Sequence, residues 1–75
     1  MKTDSELQQD VMDELKWEPS IEAAEVGVSV RDGVVTLSGY VDSYGKRWAT
    51  QHVAARVFGV KAVVEEIEVR FARLS

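Results

Sequence analysis

His52 is the one histidine of the chain, and there is no cysteine. Of the imidazole and thiol groups that serve as general bases, nucleophiles and zinc ligands, a single imidazole is left. No serine or aspartate stands at a recognisable nucleophile spacing, so a dyad or triad would rest on His52 without support. The lack of cysteine also removes disulfides and sulfur-ligated zinc. Glu65, Glu66 and Glu68 carry oxygens that suit a hard cation. Successive residues of a strand point to opposite faces, however, so these carboxylates do not converge on one ion and read as solvated or paired. Neither catalysis nor a cofactor is expected.

The residues that do form a chemical pattern lie between Tyr44 and Phe58. At 100° per residue, Val53 and Val57 fall within about 80° of Ala49, whereas Tyr44, Trp48 and Ala55 cluster more than about 90° away, with Phe58 beside them. A helix lying on one sheet cannot bury both faces there. The aromatic face either meets another helix and the C-terminal segment or stays exposed for docking. Lys46, Arg47 and Arg56 are on the same helix, a basic segment in a chain of net charge -4. Aromatic rings beside cations suit an anionic phospholipid headgroup layer. Trp17 is a second candidate: it falls off the core stripe of its own helix, and either covers the junction before Pro19 or stands as an exposed anchor.

The negative net charge opposes non-specific attachment to phosphate backbones, so no nucleic acid partner is expected. With 75 residues the chain forms one domain at most, with a small core. Its 45% hydrophobic and 29% charged content is that of a globular protein. The start, Met1-Lys2-Thr3-Asp4-Ser5-Glu6, is too polar for a secretory signal. The chain as written is therefore expected in the cytoplasm, or in the periplasm if an export signal has been removed.

The elements that position these residues follow from periodicity. Thr3 and Glu6 have the form of a capping box. Leu7, Val11, Met12 and Leu15 then share one helical stripe, and Pro19 biases Glu18 out of the helix, which should end near Trp17. From Ala24 the period becomes two: Ala24, Val26, Val28 and Val30 alternate with polar or small residues. Asp32-Gly33 suits a type I′ turn, after which Val35, Leu37, Gly39 and Val41 alternate in turn. Pairing Arg31 with Val34 sets Val30 against Val35, Val28 against Leu37 and Val26 against Gly39, all on one face. Asp42 or Ser43 caps the second helix, whose inner stripe is Ala49, Val53 and Val57. Gly59 is expected to end it, with Val60 folding back. In a third strand Val63, Ile67, Val69 and Phe71 share a face with Glu65. The inward carboxylate of Glu65 means that the strand begins after it or that it caps a backbone amide.

The string from Val28 through Arg31-Asp32-Gly33-Val34 to Ser38-Gly39-Tyr40-Val41-Asp42-Ser43, followed by Ala49, Ala54, Gly59-Val60 and Val63, resembles the BON domain, a bacterial family named for an osmotically inducible periplasmic protein and for nodulation proteins. The likeness runs from about Asp4 to Val69, and its opening is similar to the first domain of multi-BON proteins. It implies αββαβ order, association with phospholipid or membrane surfaces, a link to stress responses and frequent tandem copies. Gly33, Gly39 and Gly59 match the family pattern. Gly33 and Gly59 occupy positions that ask for positive φ, and Gly39, inside a strand, marks a bulge or the close approach of another backbone, here that of a helix packing on the sheet. The element order also resembles that of KH-type RNA-binding domains, but their Gly-x-x-Gly loop is absent.

The expected fold is α+β: a three-stranded mixed sheet with two helices packed on one face, the third strand parallel to the second. One domain spans 1–75, with its core at about 4–70 and a tail over 71–75. The expected function is weak, non-catalytic binding to an anionic phospholipid surface through Tyr44, Lys46, Arg47, Trp48 and Arg56 with Trp17. Packing against neighbouring BON domains, with weak self-association, is the alternative.

Overall fold

The computed structural model describes residues 2–19, 21 and 25–71. Along them run α1 (Asp4–Trp17), β1 (Val26–Arg31), β2 (Val34–Val41), α2 (Tyr44–Arg56), β3 (Ala62–Glu65) and β4 (Glu68–Val69). The strand start expected at Ala24 and the tail from Ala72 to Ser75 lie outside the described residues.

α1 begins at the predicted capping box. The Thr3 hydroxyl accepts the Glu6 amide at 3.2 Å, and Glu6 Oε1 accepts the Thr3 amide at 3.0 Å. Together they satisfy two of the amides that a helix start leaves without a partner. Glu18 is extended (φ -86, ψ 111), as the residue before a proline must be, and α1 stops at Trp17. Leu7, Val11 and Leu15 are buried at a spacing of four, but Met12 is 47% exposed, against the expectation that it shares their stripe. α1 rests on β1 and α2 along a narrow ridge. Met12, about 100° round from Val11, faces a shallow groove beside Val26 and Val28 instead.

The hairpin has the predicted register, from Val26 opposite Gly39 to Arg31 opposite Val34. Asp32 (φ 52) and Gly33 (φ 79) both take positive φ, as a type I′ turn requires. Asp4, the first residue of α1, locks this turn: its carboxylate accepts the amides of Asp32 at 2.9 Å and Gly33 at 3.1 Å. One side chain thus ties the helix start to the hairpin tip.

Beyond α2 the chain returns parallel to β2, with Val34 opposite Ala62 and Leu37 opposite Glu65, and then Tyr40 opposite Glu68 and Val41 opposite Val69. The sheet is therefore mixed and three strands wide, and its third position is split into β3 and β4 rather than forming the single strand that alternation predicts. The register is the same on both sides of the split, which places Gly39 opposite the gap. Gly39 has φ 104, and a β-carbon there would overlap the carbonyl oxygen of Glu25. The close approach expected at this glycine is real, but the backbone that approaches is Glu25, just before β1, and not α1 or α2. In the gap the Ile67 amide donates to Glu65 Oε1 at 2.8 Å. Glu65 ends β3 and caps a backbone amide, the second of its two predicted roles.

Both helices cover the same face of the sheet. Val35, Leu37, Val41 and Ile67 meet Leu7, Val11 and Leu15 from α1, and Val53, Ala54 and Val57 from α2 or its end. Each buried Val, Leu or Ile side chain contributes about 1.5–3 kcal/mol. The opposite face is open, with Ser29, Arg31, Ser38, Val64, Glu66 and Glu68 exposed. The inner stripe of α2 is turned from the one predicted: Thr50 and Ala54 are fully buried, whereas Ala49 is only partly so. Thr50 can be buried because its hydroxyl donates to the Lys46 carbonyl at 2.7 Å, leaving no polar group unpaired. α2 also ends earlier than Gly59. Val57 is extended (φ -67, ψ 129) while its side chain stays in the core, and Gly59 belongs to a separate reverse turn closed by the Val60 amide on the Val57 carbonyl at 3.2 Å.

Candidate docking face

Ser43, the better placed of the two predicted caps, starts α2 by accepting the Lys46 amide at 3.2 Å. With Thr50, Val53 and Ala54 turned to the core, helical geometry directs Tyr44, Trp48, Gln51, His52 and Ala55 outward. Tyr44 is 58% and Trp48 64% exposed. They form an aromatic ridge one turn apart, and neither is needed to close the core.

Two neighbours extend the ridge. The His52 imidazole stacks on the Trp48 indole, with centroids 4.7 Å apart and planes 11° from parallel. Phe71, predicted to point inward, is 65% exposed and meets the Tyr44 ring edge-on at 5.5 Å. β4 ends at Val69, so the alternation that would carry Phe71 inward stops before it.

The cations are arranged less simply. Lys46 Nζ is 2.9 Å from Asp42 Oδ1. Arg47 Nε is 3.7 Å from Glu65 Oε2, and the guanidinium lies 5.2 Å from the Tyr44 ring centroid. Arg56, two turns beyond Trp48, is exposed and has no ion-pair partner among the described residues. The three basic residues therefore flank the ridge at different heights, and the first two are partly neutralised within the chain. Trp17 is 82% exposed at the end of α1, so it does not cover the junction before Pro19. Among the described residues no ring contact joins it to Tyr44 or Trp48. Phe58, 84% exposed, sits past the end of α2 with Lys2 Nζ 5.9 Å from its centroid; it is remote in sequence from Tyr44 and belongs to the hairpin end of the molecule.

Among the described residues no group of three His, Cys, Asp or Glu is placed to hold a metal ion, and no helix is long and apolar enough to cross a membrane. The profile of the BON domain family matches residues 3–70. The chain belongs to the BON domain family. BON domains are generally associated with membranes or phospholipids and with osmotic-stress proteins, and the family is generally non-catalytic. Comparison with curated proteins gave no match.

This BON domain carries a second polar cluster that sequence reasoning passed over, on the open face of the sheet. The Arg70 guanidinium lies 4.6 Å from the Tyr40 ring centroid and reaches both oxygens of Glu68, at 3.0 and 3.4 Å. The hydrogen bond to Arg70 holds the Glu68 carboxyl below its ordinary pKa, and Glu68 in return raises that of Arg70. Alternation already places Glu68 and Arg70 on the outward side of the last strand. What it lacks is the parallel register that sets Tyr40 beside them.

Proposed function

We propose that this BON domain is a non-catalytic module that docks on anionic phospholipid membranes through the outward face of α2. Tyr44 and Trp48 enter the headgroup layer, and Arg47 and Arg56 meet lipid phosphates. The observation that carries this reading is the exposure of two large aromatics, one turn apart, on a helix whose other face already completes the core. Tyr and Trp suit such a layer because their apolar bodies leave water while their polar tips remain wet.

Affinity should be weak. Each partly inserted ring contributes about 1–2 kcal/mol by the area it removes from water, and each cation near an anionic leaflet adds about 1 kcal/mol. Lys46 and Arg47 give less than that while they remain paired with Asp42 and Glu65. A single copy thus binds reversibly, and tandem copies in a stress-response protein would gain through effective concentration. Trp17, apart from the ridge, serves as a second anchor.

The test is co-sedimentation with vesicles of phosphatidylcholine alone and with about a third phosphatidylglycerol. Retention on the anionic vesicles only, reduced by salt and by Trp48→Ala or Arg56→Glu, is the expected result. Equal retention of Trp48→Ala and the parent protein would remove the α2 face from the account.

A further inference from the structure

β3 is an outer strand of the sheet, with β1 at the opposite side. The two edges differ. β1 is guarded, because Gln8 of α1 donates its side-chain amide to the Val28 carbonyl at 2.9 Å. No described residue covers β3 in this way. The Glu66 amide donates to Leu37 on β2, and since backbone groups alternate sides along a strand, those of Val63 and Glu65 face away from β2. The free segment is bounded at both ends: the Lys61 amide is taken by the Gly33 carbonyl and the Ile67 amide by Glu65 Oε1. What remains is a short, unpaired edge at Val63 and Glu65.

We infer that this edge pairs with β3 of a second copy of the chain, antiparallel about a two-fold axis at Val63. Residues directly opposite in an antiparallel pair lie on the same face, which limits a strand pairing with itself to registers centred on one residue. Centring on Val63 sets Ala62 opposite Val64 of the second copy and Lys61 opposite its Glu65, each contact occurring twice. The charges are complementary. Lys61 is exposed and has no ion-pair partner among the described residues, while Glu65 is held by Arg47 only at 3.7 Å. Val64, 43% exposed on the open face, gains an apolar neighbour. Centring on Val64 instead would set Lys61 against Ile67 and lose the charge match.

The contact is small. An edge of four residues buries far less than the ~1,600 Å² of a standard interface, so the association is weak and reversible. The axis stands perpendicular to the sheet, which keeps the helices of both copies on one side and turns both α2 ridges toward the same surface. A dimer of this form would engage a membrane bivalently, although its formation does not depend on the membrane reading.

Sedimentation equilibrium of the intact chain from about 10 μM to about 1 mM tests the inference. A concentration-dependent dimer is expected, with its dissociation constant raised at least about tenfold by Lys61→Glu. Val63→Pro should abolish it, since it removes an outward amide that the monomer does not use. Lys61→Glu touches no ion pair within the chain, so it stays informative if the proline variant fails to fold. Monomer across the whole range, or a dimer that Lys61→Glu leaves unchanged, would overturn the inference.

Discussion

Replacing Asp4 by alanine should destabilise the domain more than any other single change on the exposed side of α1. The carboxylate accepts two amides of the hairpin turn, at 2.9 and 3.1 Å, and it carries negative charge at a helix start. A hydrogen bond to a charged group contributes about 1.5–3 kcal/mol. Asp4 is only half-buried, so the pair is better taken together at about 2 kcal/mol, and the helix-dipole contribution adds about 0.3–1 kcal/mol. The loss of about 2–3 kcal/mol is a large share of the ~4–11 kcal/mol expected of a chain this size. In a small domain it corresponds to a fall in Tm of about 10–20 °C. Asp4→Asn, which keeps one neutral acceptor, should lose about half as much. Thermal unfolding followed by circular dichroism measures all three proteins, with Glu14→Ala as the control on an exposed residue of the same helix, expected within about 0.5 kcal/mol of the parent. If Asp4→Ala melts within about 2 °C of that control, the clamp between α1 and the hairpin contributes nothing and the reasoning fails.

Two further stability predictions follow from backbone and charge. Gly39→Ala forces a β-carbon onto the Glu25 carbonyl at a positive φ and should cost about 2–4 kcal/mol. Gly27→Ala, where the only close neighbour is the movable Ser38 hydroxyl, should cost under about 1 kcal/mol, and denaturant titration of the two variants compares them directly. The Glu6 carboxyl is held below its ordinary 4.5, first by the Thr3 amide and then by the Thr3 hydroxyl. Because its folded pKa is depressed, its stabilising effect is fully present above pH 4.5 and disappears as pH falls through the lower, folded value. The Tm difference between the parent and Glu6→Gln should therefore shrink toward zero on acidification, and a difference that grows in acid would contradict the capping box.

Much of the fold is legible in the sequence because local rules act there without competition. The capping box at Thr3 and Glu6, the stop before Pro19 and the hairpin register set by Asp32-Gly33 all depend on residues close in the chain. The features that escape depend on distant partners. A glycine inside a strand signals a close approach at Gly39, but nothing near it in sequence announces that the backbone there is Glu25 or that the last strand splits opposite it. Met12 matches the apolar period of α1 but lies beyond the width that β1 and α2 cover. Thr50 hides in α2 because a hydroxyl reads as polar until it is seen to bond the preceding turn. For the candidate site, period alone separates Tyr44 and Trp48 from the core stripe. It does not reveal that Arg47 is drawn toward Glu65 or that Phe71 joins the ridge, since those pairings cross between elements.

The most direct test of membrane docking uses Trp48 as its own reporter. The chain has two tryptophans, so Trp17→Phe leaves Trp48 alone, and its fluorescence can be followed with vesicles carrying brominated acyl chains. Docking through α2 predicts a blue shift and quenching on anionic vesicles, both reversed by salt, and neither on neutral ones. Emission that stays at the water-exposed wavelength while the protein still sediments with anionic vesicles would show that a different surface makes the contact.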